Sequence, residues 1–196
     1  MDKYFYYLKG TIISPQKTFQ EIIDDKESKR FILITVFTLF IVGLLNAFLV
    51  PVTPQKLTHI TTTSLLLKRF FDNFRYLTLF APVTWFVFNF VLHQITRAFS
   101  DAGKFTQLLT VSGFISVIFS TVFMILRYVY MYVPQAKMLD NLILLWSLYL
   151  TMTAISLIYK ISKIKALMLF ITELLFFSFA IFVAMFFFVT AGLNKY

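Results

Sequence analysis

The stretch 31–50, FILITVFTLFIVGLLNAFLV, constrains the fold more than any other feature, because it contains no Asp, Glu, Lys or Arg. A helix of this length rises about 30 Å, which is the thickness of the hydrocarbon core of a bilayer. Soluble domains distribute charged residues along every helix, whereas this stretch has none. The sequence therefore predicts a membrane-spanning helix over 31–50.

Four further apolar runs predict additional spans at 76–95, 108–126, 142–159 and 166–191. Each run is near or above the roughly 17–20 residues that cross a bilayer. The composition agrees, since 59% of the residues are hydrophobic and the mean hydropathy is +0.81. We therefore predict an all-α, polytopic membrane bundle of five transmembrane helices over residues 31–196.

The first 30 residues are predicted to form a cytoplasmic interfacial segment, and we expect no removable signal peptide. Ser14 as N-cap and Pro15 at the first helical position predict a short helix there. A frayed tail is the alternative. The segment is amphiphilic enough to lie in the headgroup layer. The expected interfacial anchors are Tyr4, Phe5, Tyr7, Phe19 and Ile22. A second amphipathic helix is predicted over 64–76, just ahead of the second span.

The net charge of +9 favours the lipid bilayer and its anionic headgroups as partners, not nucleic acid. The Lys and Arg residues flank the spans and form no separate basic domain. If the N-terminus is cytoplasmic, the cytoplasmic connections hold 11 Lys and Arg residues against 7 outside. Positive charge concentrates on the cytoplasmic side of membrane proteins. We therefore expect a cytoplasmic N-terminus and a C-terminus outside.

Glu173 is the only acidic residue inside the five predicted spans, and ionisable groups inside a membrane are usually paired or functional. In the predicted orientation it lies in a polar layer toward the cytoplasm. The candidate intramembrane polar site comprises Glu173, His93, Asn89, Ser112 and Ser116. One interpretation is a cavity open to the cytoplasm, with Glu173 and His93 as a proton-linked or ligand-binding pair. The other is a set of hydrogen bonds that holds the helices together.

The third predicted span has a stripe of small residues at Ser112, Gly113, Ser116 and Ser120. Small side chains let a neighbouring helix approach closely within a membrane. The pattern therefore predicts a helix-packing surface.

No catalytic motif is present, so we expect no enzyme and no cofactor. The two His residues, His59 and His93, have no HExxH or paired-carboxylate context that would indicate a zinc site. Phosphate-binding loops and a nucleophile elbow are also missing. The chain contains no cysteine, which excludes disulfides and thiolate metal sites.

Three stretches resemble the Yip1 family of five-span membrane proteins. The connector RAFSDAGKFTQLL resembles the family's Gly-containing turn and entry into the third span, through Phe99, Gly103, Phe105, residues 107–109, and Gly113 with Phe114. SPQKTFQEI, beginning at Ser14, is similar to the segment that precedes the first span in prokaryotic members. WSLYLTMTAISLIYKISKIKAL, over 146–167, resembles the passage across the fourth and fifth spans.

The chain also departs from the family pattern. It lacks the acidic motif of eukaryotic members, Phe114 replaces the usual Tyr, and the Pro often found later in the third span is missing. The GTPase binding implied by eukaryotic relatives is therefore not carried over. The resemblance implies a prokaryotic-type member in a cytoplasmic membrane.

Two functions follow as hypotheses. The first is a non-enzymatic protein that organises the membrane or recruits partners, with interfacial helices inserted into one leaflet. The alternative is a small transporter, scramblase or channel that uses the polar layer around Glu173. A protein partner or a homo-oligomer is compatible with either function.

Overall fold

The structure is a computed structural model that describes residues 2–49, 80–133, 135 and 138–193. These residues form seven α-helices, and no strand occurs among them. In chain order the helices are α1 (Asp2–Ile13), α2 (Pro15–Asp24), α3 (Arg30–Leu49), α4 (Phe80–Arg97), α5 (Phe105–Tyr132), α6 (Leu139–Tyr159) and α7 (Lys163–Leu193). The prediction of an all-α fold is confirmed for this part of the chain.

The five longer helices, α3 to α7, occupy the ranges in which spans were predicted. Two of them qualify as membrane spans by length and hydropathy, Phe105–Leu126 within α5 and Leu139–Tyr159 in α6, and Arg30–Leu45 is a shorter apolar helix. The largest difference is at the end of α5, which continues past residue 126 to Tyr132. The amphipathic helix expected over 64–76 lies outside the described residues.

Helix α5 is the centre of the bundle and packs against α1, α2, α3, α4 and α6. Its contact with α3 depends on Gly113. A Cβ atom at this position would lie 2.7 Å from Cγ2 of Thr35, which is closer than carbon atoms can approach without a shift. The missing side chain therefore lets α3 and α5 approach closely.

Helices α1 and α2 form a hairpin, here called the N-terminal hairpin, that folds against α5; α2 also contacts α6. Pro15 occupies the first turn of α2 and Ser14 is its N-cap, as the sequence predicted, although the Ser14 hydroxyl makes no capping hydrogen bond. The two helices cross closely at Gly10, where a Cβ atom would overlap the Thr18 hydroxyl oxygen.

The outer surfaces of the longer helices are apolar. Large side chains that point away from the bundle include Leu33, Phe37, Phe86, Leu145, Leu175 and Phe179. Exposed apolar surface of this extent is unusual for a soluble monomer and suits contact with lipid.

Candidate functional site

A cavity of about 440 Å³ lies between α4, α5, α6 and α7. On α5 its lining runs from Leu108 to Phe123, a distance of about 22 Å at 1.5 Å per residue. The walls combine aromatic and aliphatic side chains with a row of hydroxyl groups. The polar residues that line it are Thr84, Asn89, Ser112, Ser116, Ser120, Ser147, Thr151 and Glu173.

Glu173 has the most unusual environment in the cavity. The residue is fully buried, and neither carboxyl oxygen has a hydrogen-bond partner among the described residues. A buried polar group without a partner lowers stability, and buried polar atoms in proteins are nearly always hydrogen-bonded. Within the part of the chain that the structure describes, both oxygens are therefore acceptors without a partner, in a residue that belongs to the cavity wall.

Three of the predicted polar residues, Asn89, Ser112 and Ser116, line this cavity together with Glu173. Asn89 donates one amide N–H to the carbonyl of Trp85 at 2.7 Å. The Ser112 hydroxyl donates to the carbonyl of Leu109 at 3.3 Å. These bonds stay within single helices, so they do not link one helix to another.

His93 lies apart from Glu173. Its Nδ1 atom shares a hydrogen bond with the Tyr159 hydroxyl, and its ring packs against Phe105 with centroids 5.3 Å apart. His93 is not among the residues that line the cavity. The structure therefore brings four of the five predicted polar-site residues together and gives His93 a different partner.

The stripe of small residues in α5 divides between two surfaces. Ser112, Ser116 and Ser120 line the cavity, whereas Gly113 contacts α3 at Thr35. Residues four apart share one helix face, and the neighbouring position is rotated by about 100°. Helix packing therefore falls to Gly113 alone, and the three serines face open space instead of a closely packed helix.

The N-terminal anchors also differ from the expectation. Tyr4, Tyr7, Phe19 and Ile22 are buried in the protein core, while Phe5 is 64% exposed. The Tyr4 ring lies 5.0 Å from the Phe114 ring, measured between centroids. Since the N-terminal hairpin folds onto α5, four of the five side chains contact protein and only Phe5 remains open to a lipid layer.

Polar contacts hold the N-terminal hairpin together. The Tyr7 hydroxyl donates to Asp25 at 3.1 Å, and Lys3 forms an ion pair with the same carboxylate at 2.8 Å. Burial alone would raise the pKa of Asp25, but the hydrogen bonds from Lys3, the Glu27 backbone and Tyr7 more than offset it and lower the pKa. Burial, together with the nearby Asp25, raises the pKa of Tyr7.

The connector between α4 and α5 is fixed to the end of α6. The Ser100 hydroxyl donates to the Tyr159 carbonyl at 2.7 Å. Gly103 has a φ of +87°, and a Cβ atom there would meet Tyr159 and Ile158 at 2.8 and 2.9 Å. The tight turn expected at Gly103 is therefore present, and only glycine fits it without strain.

Sequence reasoning missed Tyr159, the partner of His93, and the cavity-lining pair Thr84 and Ser147. Ser147 and Thr151 are four residues apart on α6, so both face the same side. That spacing, set beside the serines of α5, was the available signal. Nothing comparable distinguished Tyr159 among the ten tyrosines of the chain.

Comparisons with known proteins give one finding. The model of the Yip1 domain matches residues 9–191. Searches of characterised proteins and of solved structures returned no match. The matched range covers α2 to α6 completely, the last five residues of α1 and all but the last two residues of α7. On this evidence the chain is a helical membrane protein that belongs to the Yip1 domain family.

Proposed function

We propose that this protein binds a small solute in the cavity around Glu173 and moves it across the membrane, without enzymatic activity. The observation that carries the proposal is Glu173 itself, which is fully buried and has no described partner for either carboxyl oxygen in residues 2–49, 80–133, 135 and 138–193. The cavity volume of about 440 Å³ is within the range of small-molecule sites. Hydrogen bonds between helices, the alternative role for the polar layer, would require partners for Glu173.

Flux measurements in proteoliposomes test this function. Reconstituted wild-type protein is compared with Glu173→Gln and with Glu27→Gln, a matched control on an exposed side chain. The probes are sodium ions and the fluorescent organic cation ethidium. We expect flux of at least one probe to fall at least tenfold in Glu173→Gln and to be unchanged in Glu27→Gln. Equal flux through wild type and Glu173→Gln would reject the proposed role of this carboxyl.

We further propose that α3 to α7 form five transmembrane spans with the N-terminus in the cytoplasm. The positions of these helices and the excess of Lys and Arg in the N-terminal and even-numbered connections support this topology. The chain has no cysteine, so single-cysteine variants give a clean test. A membrane-impermeant maleimide should label Met138→Cys from outside intact cells and Lys26→Cys only after the cells are opened.

Membrane organisation or partner recruitment is a second candidate function. The supporting observation is the exposed apolar side of α1, where Phe5, Ile12 and Ile13 are 64%, 50% and 69% exposed. Deletion of residues 1–30 would also uncover the core, so point variants test this function more specifically. Phe5→Ser with Ile13→Ser should abolish vesicle deformation by the purified protein if this function is correct, and a control at Lys9→Ser should not.

A further inference from the structure

The balance of donors and acceptors in the cavity identifies the kind of ligand, and this step rests on the proposed function. The Thr151 hydroxyl donates to the Ser147 carbonyl at 2.9 Å, as Ser112 donates to Leu109. A hydroxyl whose hydrogen is bonded to its own helix presents only oxygen lone pairs to its surroundings. The two Glu173 oxygens, which have no partner among the described residues, add two acceptors, and the Trp85 indole N–H is a buried donor of the same lining without a partner there.

We propose that the cavity binds a protonated organic amine, with its ammonium group at Glu173. An ammonium group has three donors and no acceptor, which complements this lining. Its positive charge would also compensate the buried carboxylate, because a charge removed from water needs a partner. Asn89, which uses one N–H on its own helix, keeps its amide oxygen as a further acceptor.

The apolar part of the cavity favours an organic cation over a metal ion. Phe88, Phe119 and Phe170 belong to its wall, and aromatic faces attract organic ammonium groups. Calcium takes six to eight oxygen ligands, and magnesium takes six, several of them water molecules. Among the described residues, no group of three His, Cys, Asp or Glu could hold a metal ion. One carboxylate surrounded by aromatic side chains suits a monovalent cation with an apolar body.

Trp85 lines the cavity and is one of two tryptophans in the chain, so it can report binding. In a Trp146→Phe background, Trp85 fluorescence is titrated in nanodiscs with three probes: 2-phenylethylammonium, the similarly shaped neutral 2-phenylethanol, and sodium chloride. Empty nanodiscs correct for partitioning into lipid. We expect a saturable change with the ammonium and at least tenfold weaker binding of the alcohol and of sodium.

Variants on the same background locate the interaction. Glu173→Gln should weaken binding of the ammonium at least tenfold, and Glu27→Gln should leave it unchanged. Asn89→Leu keeps the carboxylate and should weaken binding of the ammonium several-fold. This variant replaces Glu173→Gln in the test if Glu173→Gln does not fold. Equal affinity for ammonium and alcohol, preferential binding of sodium, or wild-type affinity in Glu173→Gln would each overturn the amine proposal.

A cavity-filling variant, Ser116→Phe, separates this proposal from the function it rests on. If the neutral alcohol binds and Ser116→Phe abolishes its binding, the cavity is a solute site but not one for amines. If none of the three probes produces a saturable change in Trp85 fluorescence, the amine proposal fails together with solute binding.

Discussion

The N-terminal hairpin and the cavity treat their carboxyl groups in opposite ways. In the hairpin, Asp25 accepts hydrogen bonds from Tyr7, Lys3 and the Glu27 backbone, above a tightly packed aromatic core. In the cavity, Glu173 is more deeply buried, and neither of its oxygens has a partner within the described part of the chain. Binding sites commonly retain such locally unfavourable groups, whereas structural regions satisfy them. This contrast supports our proposals that the cavity is the binding site and that the hairpin is structural.

The largest effect is expected in the core of the hairpin. Phe19 is fully buried, so Phe19→Ala should lower the free energy of unfolding by about 3–5 kcal/mol through lost packing and a residual cavity. Denaturant unfolding in detergent measures this change. Phe5→Ala, at an exposed position of the same hairpin, is the control and should change stability by less than about 0.5 kcal/mol. Similar losses for both variants would mean that the hairpin is not packed as described.

Removal of the unpartnered Glu173 carboxyl should raise the free energy of unfolding, whereas Phe19→Ala should lower it. Glu173→Leu replaces a buried polar group that lacks hydrogen bonds, so we expect the free energy of unfolding to rise by about 1–3 kcal/mol while solute binding is lost. Glu27→Leu should have little effect on either quantity. A loss of stability in Glu173→Leu would show that the carboxyl is paired in the membrane, and the contrast with the hairpin would disappear.

The two faces of α5 should respond differently to substitution by alanine. Gly113→Ala places a Cβ atom against Thr35, and we expect a loss of about 1 kcal/mol, since overpacking outweighs the gain in helix propensity. Ser116→Ala, on the cavity face, should change stability by less than about 0.5 kcal/mol. Thermal unfolding of both variants provides the comparison. Equal effects would argue against the close approach of α3 to Gly113.

The smallest expected effect is a pH dependence of the stability that the N-terminal hairpin contributes. Because its partners lower the pKa of Asp25, its contribution to stability is present above the ordinary Asp pKa and is lost as the pH falls through the lowered value. Asp25→Asn should therefore be less stable than wild type at neutral pH and should converge toward it in acid. Asp24→Asn is the control and should keep the wild-type pH profile.

The positions of the long helices were predictable from sequence because long uncharged apolar runs are compatible with few structures other than membrane-spanning helices. Ser14 and Pro15 marked the start of α2, and Gly103 marked the turn ahead of α5. The approximate depth of Glu173, Asn89, Ser112 and Ser116 along their helices also followed from position in the chain. Depth placed five residues in one predicted layer, and four of them line the cavity, whereas His93 does not.

Rotation about the helix axes and the packing of the N-terminal hairpin were not predictable. An aromatic, amphiphilic helix has the same sequence pattern whether it covers lipid or protein, so Tyr4 and Phe19 gave no sign that they are buried in the core. Likewise, His93 and Glu173 are close in depth, but which faces of α4 and α7 meet depends on all the neighbouring helices. The pairing of His93 with Tyr159 required the tertiary structure.

The attachment of the connector to Tyr159 has a mechanical consequence for the cavity. Ser100 and His93 both bond to Tyr159, so α4 and α6 are fastened to each other at the end nearest the connector. These two helices form opposite sides of the cavity. The cavity is therefore tied across at its Tyr159 end, and no such tie joins α4 to α6 among the described contacts near Thr84 and Ser147.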